Sequence, residues 1–337
     1  MENVDSLLLP SEADIVRHWP IRTPAVVSVI CLTYNHETVI EDALRGFLIQ
    51  ETKFPFEILI HDDASSDRTQ EIVMEYARRY PRILKPICQA ENQLSRGVKI
   101  IPAVLARAEG EYVALCDGDD YWVAPDKLRR QVRVLEENEG VDLCWHECHV
   151  LEASSGKMSP RKSASCAAGI VPLSAVIEND GGFIPTLSIL MRRVAIEKMP
   201  EWFHSTAPIS DYFYQIYAAR RGGGICLKEV MGVYRSNLAG SWTRRTWTDA
   251  EKRMRFEAAF RRCLQCAEVD FPQSKKSFAI MTFRHFTPLG LFGLKLRSRE
   301  IFRFARGLVL GRSPELGRLD RWIATLVFLR IWYVFLK

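Results

Sequence analysis

Val26-Val-Ser-Val-Ile-Cys-Leu-Thr33 is an almost unbroken run of β-branched and apolar residues that stops abruptly at Tyr34-Asn35-His36-Glu37. A strand without a polar face must be covered on both sides, which is the condition of a parallel sheet flanked by helices. The pattern then repeats. Residues 56–60 form a second such run, ended by His61-Asp62-Asp63-Ala-Ser-Ser-Asp67, after which Ile72, Val73, Tyr76, Ala77 and Tyr80 share one helical face. Asp67, with Gln70 three residues on, predicts the cap of that helix. A short strand at 83–88, a helix at 100–108 and a strand at 112–116 continue the series. Pro125 then opens a helix with Leu128, Val132 and Leu135 on one face. This alternation predicts an α/β fold, a mostly parallel sheet flanked by helices and joined by right-handed crossovers.

In such sheets ligands bind beyond the carboxyl ends of the strands. The polar loops at 33–35, 62–67 and 117–120 each follow a strand, so all three are expected at that edge. The third is the most informative. In Glu111-Tyr-Val-Ala-Leu-Cys-Asp-Gly-Asp-Asp-Tyr-Trp122 an apolar strand runs into three carboxylates, Asp117, Asp119 and Asp120. Clustered carboxylates suit a hard divalent cation such as Mg²⁺ or Mn²⁺; the plainer alternative is a solvated acidic turn. No G-x-G-x-x-G follows the first strand and no G-x-x-x-x-G-K-[ST] occurs anywhere, which disfavours a Rossmann dehydrogenase and a P-loop nucleotide hydrolase. With few glycines to cradle it, a phosphate here would need a metal to neutralise it.

The remaining sequence sets bounds. A chain of 337 residues, 47% of them hydrophobic, can bury a large core. Nine scattered cysteines predict reduced thiols and no disulfides, in a cytoplasm-like compartment. Cys144-Trp-His146-Glu-Cys148 and Cys263-x-x-Cys266 lack the second ligand pair of a zinc site. The N-terminus lacks the basic start and apolar run of a signal peptide. The net charge of +5 is unevenly distributed: residues 274–337 hold 13 Lys/Arg against 3 Asp/Glu, a balance of +10, which leaves −5 for the rest. Nucleic acid is therefore not an expected partner of the main body.

Beyond residue 140, apolar stretches at 141–151, 182–191 and 224–234 predict strands. Residues 211–220 predict a helix starting at Ser210 or Asp211, and residues 152–168, rich in Ser, Lys and Ala, predict a mobile loop placed to act as a lid.

Five stretches in order resemble family 2 glycosyltransferases of the GT-A fold, over about residues 26–245. They are Val27-Ser-Val-Ile-Cys-Leu-Thr-Tyr-Asn35, Ile60-His-Asp-Asp-Ala-Ser-Ser-Asp-Arg-Thr69, the segment from Ala108 to Trp122, Ser210-Asp211, and Tyr234-Arg235 with Gly240-Ser-Trp242. The resemblance implies a sugar moved with inversion from a nucleotide-diphosphate donor, a UDP-sugar by frequency in the family, to a hydroxyl of a glycan or lipid-linked acceptor. It implies that Thr33 and Tyr34 contact the nucleoside, that Asp63 accepts from the base with Asp62 supporting its loop, and that Asp119 holds the Mg²⁺ or Mn²⁺ ion. Asp117 would lie nearer the ribose or reach the metal through water, and Asp211 would be the general base. Asp120, Trp122, Arg235 and Trp242 fall on the acceptor side. For Asp211 the structural alternative is a helix N-cap, for Trp122 packing, and for Arg235 a pairing with a surface acid. Asn237 stands where relatives often carry His, which would weaken the metal site.

The implied division is an N-terminal extension at 1–25, a nucleotide-binding half at 26–140, an acceptor-binding half at 141–245 and a basic amphipathic helical extension at 246–337. In the last, Lys295, Arg299, Arg303 and Arg306 lie near one helical face and residues 322–336 are apolar apart from Arg330. That stretch is short for a bilayer span, for which about 20 apolar residues are needed. It suits a helix lying on an anionic membrane through residues 290–337, or helices packed on the catalytic body. The resulting expectation is an enzyme at the cytoplasmic face, making a surface polysaccharide or related glycoconjugate. Two other readings are a sugar-nucleotide nucleotidyltransferase, whose glycine-rich basic loop is missing after the first strand, and a catalytically silent nucleotide-sugar-binding or scaffold protein.

Overall fold

The computed structural model describes residues 9–286 apart from 22, 162–168 and 180. The membrane reading of 290–337 and part of the proposed lid lie outside them. After the short helix α1 (Glu12–Val16), the first half is β1 (Val27–Thr33), α2 (Ile40–Leu48), β2 (Phe56–Asp62), α3 (Thr69–Arg79), β3 (Leu84–Cys88), α4 (Ile100–Leu105), β4 (Tyr112–Leu115), β5 (Tyr121–Trp122) and α5 (Lys127–Glu137). The second comprises β6 (Leu143–Glu152), β7 (Met158–Pro160), β8 (Ile170–Val171), α6 (Leu173–Glu178), β9 (Leu190–Arg192), α7 (Glu201–Thr206), α8 (Asp211–Ala218) and β10 (Gly224–Ser236). The helices α9 (Trp242–Thr248), α10 (Ala250–Asp270) and α11 (Lys275–Phe286) close the described chain.

One mixed sheet runs in the order β3-β2-β1-β4-β9-β6-β10-β5. β3, β2, β1 and β4 are parallel, β9 is antiparallel to both β4 and β6, β6 and β10 are parallel, and β5 pairs antiparallel with β10. The sheet is unbroken across residue 140. The apolar run of β1 is accounted for by its two faces: Val27, Val29 and Cys31 join the core cluster under α2, α3 and α5, whereas Ile30 joins the cluster containing α4, α8 and α10. Val73, Tyr76 and Tyr80, and likewise Leu128, Val132 and Leu135, are buried as their spacing predicts.

Four expectations are revised. Only the end of 182–191 is a strand; Thr186–Ser188 is a 3-10 turn, closed by the Ser188 backbone N–H and hydroxyl donating to the Pro185 carbonyl. Residues 152–160 are not one loop but the turn of a hairpin in which β7 pairs with β6, with Gly156 left-handed at φ 66°. Cys226 is disulfide-bonded, contrary to the expectation of none, while seven other cysteines are free. Asp67 does not act as the N-cap of α3, a position held by Arg68. In the described part of the extension, Phe256, Phe260, Leu264, Phe278 and Met281 bury into the same cluster as Leu143 and Ile216, so α10 and α11 pack on the catalytic body. No helix among the described residues is long and apolar enough to cross a membrane.

Candidate active site

At the carboxyl edge of the sheet the loops after β1 and β2 are laced together. The Asn35 N–H donates to Ser65 Oγ (2.9 Å), the Ser66 N–H donates to Asn35 Oδ1 (2.8 Å), and the His36 N–H donates to Thr69 Oγ1 (2.8 Å). Asp67 spans the gap, accepting from the Thr69 N–H and from the Glu37 N–H. Side chains thus satisfy backbone donors that no ladder reaches. Asn35, Ala64 and Asn237 adopt left-handed φ values of 56°, 61° and 58°, each just past a strand at this edge. Such conformations are costly for residues with a Cβ, and they persist where surrounding structure holds them.

Asp62 is fully buried and accepts from the N–H and hydroxyl of Ser65, which fits a loop-supporting role. Asp63 is also buried, and its two oxygens accept from the backbone N–H groups of Gln93 (2.7 Å) and Leu94 (3.0 Å). Each oxygen keeps a second lone pair beyond these bonds.

The acidic loop is pressed onto the end of β1. The Gly118 N–H donates to the Leu32 carbonyl at 2.8 Å, and a Cβ on Gly118 would stand 2.8 Å from both Thr33 Oγ1 and Ile40 Cδ1. Only glycine fits, and its fit brings Asp117 and Asp119 to the residues expected to hold the nucleoside. Burial, helped by the neighbouring charges of Asp119 and Asp211, pushes the Asp117 carboxyl up to about 8. Asp117 is therefore within electrostatic range of both its loop neighbour Asp119 and the distant Asp211.

Asp120 and Trp122, both expected on the acceptor side, are buried. Asp120 is 2% exposed; burial and the adjacent Asp119 raise its carboxyl, and Oδ1 accepts the Arg235 N–H. Trp122 is fully buried against Phe47, its indole N–H donates to the Leu187 carbonyl, and the Lys127 ammonium lies 3.8 Å from its ring centroid. Arg235 is 9% exposed and its guanidinium bonds the Asp119 carbonyl and the Asp42 carboxylate. The partners Arg235, Leu187 and Asp42 of these side chains lie too far along the chain for local spacing to reveal.

Asp211 opens α8 without capping it in the usual way: Oδ1 accepts from the adjacent Tyr212 N–H, and Oδ2 accepts from the Thr186 hydroxyl at 3.0 Å. Burial raises its carboxyl, partly offset by these two donors. Trp242, on α9, is 37% exposed. Thr186, His36 and Arg245 were not singled out in the sequence. His36 Nδ1 lies 3.1 Å from Thr33 Oγ1, and the Arg245 guanidinium lies 5.9 Å from the Tyr34 ring centroid. The Arg244-Arg245 pair just after the Gly-Ser-Trp stretch was the available signal.

Residues 28–164 match the family model described as Glycosyl transferase family 2. An uncharacterized protein of Mycobacterium tuberculosis is 37% identical over 229 residues, which make up 67% of this chain and 63% of that protein. The chain thus spans less than two thirds of that relative's length. Among solved structures, TarS 1-349 of S. aureus in complex with UDP-GlcNAc aligns with a TM-score of 0.62 at 20% identity, covering 90% of this chain and 88% of that one. The mannosyltransferase PcManGT of Pyrobaculum calidifontis, in complex with GDP-Man and Mn²⁺, aligns with a TM-score of 0.53 at 19% identity, covering 94% and 88%. At these identities the structural likeness concerns the fold, which is the GT-A fold of such transferases. Through residues 28–164 the chain belongs to glycosyl transferase family 2, and that segment carries the loops after β1 and β2 and the acidic loop.

Proposed function

We propose that this protein is a metal-dependent, inverting glycosyltransferase that moves a sugar from a nucleotide-diphosphate donor, a UDP-sugar, to an acceptor hydroxyl. The observation that carries the proposal is the seating of the acidic loop of Asp117 and Asp119 against Thr33 and Ile40 at Gly118, with Asp117 within electrostatic range of Asp211. Complexes of fold neighbours with UDP-GlcNAc and with GDP-Man and Mn²⁺ support the donor class.

The residues fit a divalent cation. Asp119 and Asp117 offer hard oxygen donors, and the Asp117 carboxyl is raised by burial first and by the charges of Asp119 and Asp211 second. No three His, Cys, Asp or Glu side chains converge as a cage among the described residues, so diphosphate oxygens and water would have to complete the ion's shell. The Asn237 amide N–H₂ donates to Glu152, so that side chain is occupied elsewhere. When bound, the ion would stabilise charge building on the leaving diphosphate.

The chain's own residues supply the rest. Tyr34 and Asp63 orient the nucleoside. Asp211 accepts the proton of the attacking hydroxyl, with the Thr186 hydroxyl and the Tyr212 N–H holding its carboxylate in one orientation. We assign the acceptor to a cell-surface glycan or lipid-linked precursor on the strength of the family resemblance, and the place of action to the membrane's cytoplasmic face. Incubating the protein with UDP- and GDP-sugars and Mn²⁺, and measuring released nucleoside diphosphate, tests the reaction. Release that disappears in Asp119→Asn is expected; no release from any donor, with or without candidate acceptors, would count against the assignment.

A further inference from the structure

The site is crowded with carboxylates, yet its ligand is itself a strong anion. Asp117 feels the charges of Asp119 and Asp211, and the buried Asp120 those of Asp119 and Asp117. Of the cations nearby, Arg235 is committed to Asp42 and to the Asp119 carbonyl. Arg245 is different. It is exposed, it forms no ion pair among the described residues, and α9, Trp242–Thr248, contains no acidic residue. Its guanidinium stands 5.9 Å from the centre of the Tyr34 ring. His36 is lowered chiefly by burial; Asp119 and Asp67 act to raise it, and Arg235 and Arg245 to lower it. Arg245 thus stands beside the Tyr34 ring and within electrostatic range of the imidazole that also feels Asp119, on the line a diphosphate would take from a nucleoside on Tyr34 to a metal on Asp119.

We infer that Arg245 is a donor-binding residue that contacts the diphosphate of the nucleotide sugar. The inference rests on the glycosyltransferase reading and adds a cationic ligand from α9 to it. A planar guanidinium matches phosphate oxygens with paired N–H donors, which an ammonium does not. Ser241 caps α9 by accepting the Arg244 N–H, and Gly240 turns the chain into it at φ 80°, so the helix has a defined start beside β10. Its Arg245 side chain exchanges the Tyr34 ring face for phosphate when the base arrives.

The test separates the diphosphate from the base. A panel of UDP, GDP, dTDP and CDP with Mn²⁺ first identifies the nucleotide that binds wild type. Calorimetry then compares that diphosphate with its own nucleoside on wild type, Arg245→Gln, Arg245→Lys and, as a surface control on α10, Arg253→Gln. The expected result is about a tenfold loss of diphosphate affinity in Arg245→Gln with nucleoside affinity unchanged, partial recovery in Arg245→Lys, and no change in Arg253→Gln. Equal losses for diphosphate and nucleoside would assign Arg245 to Tyr34 and the base instead. Unchanged diphosphate binding would overturn the inference alone, and a wild type that binds no nucleoside diphosphate would overturn the glycosyltransferase reading and this inference with it.

Discussion

Arg235 donates its backbone N–H to Asp120 Oδ1 across 2.7 Å, and this bond ties β10 to the acidic loop at a point where both are buried. The guanidinium extends the tie to the Asp119 carbonyl and, through Asp42, to α2, and lies 4.6 Å from the Tyr121 ring centroid. Removing one partner of a buried pair leaves the other uncompensated. Arg235→Ala is expected to destabilise the fold by about 2–4 kcal/mol in urea unfolding, because Asp42 retains some solvent access, with Arg235→Lys intermediate. A neutral Arg235→Ala would show that the network is dispensable.

Gly118→Ala probes how the acidic loop is seated. The added methyl group meets Thr33 and Ile40, so the loop must lift or the start of α2 must shift. Overpacking of this kind costs about 1–3 kcal/mol, and nucleotide affinity should fall along with stability. Wild-type affinity in Gly118→Ala would mean that the two loops need not touch.

Asp211→Asn keeps the shape of the side chain and removes its basicity. Turnover should fall about 10²–10⁴-fold while the donor dissociation constant holds, measured by initial rates and calorimetry on the same preparation. Lost donor affinity with little change in turnover would place Asp211 in binding instead.

Lys127 offers a pH test away from the chemistry. It is fully buried, bonded to Gln131 Oε1, and burial pulls its ammonium down to about 7. Between about 7 and its ordinary value of 10.5 the unfolded chain binds the extra proton. This group therefore adds stability as pH rises through that window and withholds it below pH 7. Lys127→Met should gain stability relative to wild type at pH 6, and the gain should shrink toward pH 10. A variant that loses more stability at pH 6 than at pH 10 would show that the Trp122 ring and Gln131 hold a charged lysine at net advantage.

The sequence reading was strongest where structure is local and weakest where it is not. β1, β2 and β4 were legible because a run apolar on both faces has few other uses, and the edge they share placed Thr33, Asp62 and Asp117 together. β9 was misjudged because three residues paired between β4 and β6 leave little periodic trace, and Pro185 interrupts the run before them. Asp67 has the spacing of a cap, but a neighbouring loop, invisible to local rules, offers it the Glu37 N–H as well. Trp122 lies next to the acidic loop in sequence, yet its pairing in β5 with Gly232 turns it into the core. For Arg245 the Arg244-Arg245 pair is the one local signal, and its approach to Tyr34, 211 residues earlier in the chain, is set by tertiary structure alone.

The central claim is that this acidic edge binds a nucleoside diphosphate with the help of a divalent cation. Thermal unfolding of wild type and Asp119→Asn with UDP, GDP, dTDP and CDP, each with and without Mn²⁺, tests it directly. The account predicts that one nucleotide, UDP, raises the wild-type midpoint only when Mn²⁺ is present and that Asp119→Asn loses the shift. No shift with any nucleotide under any condition would contradict it.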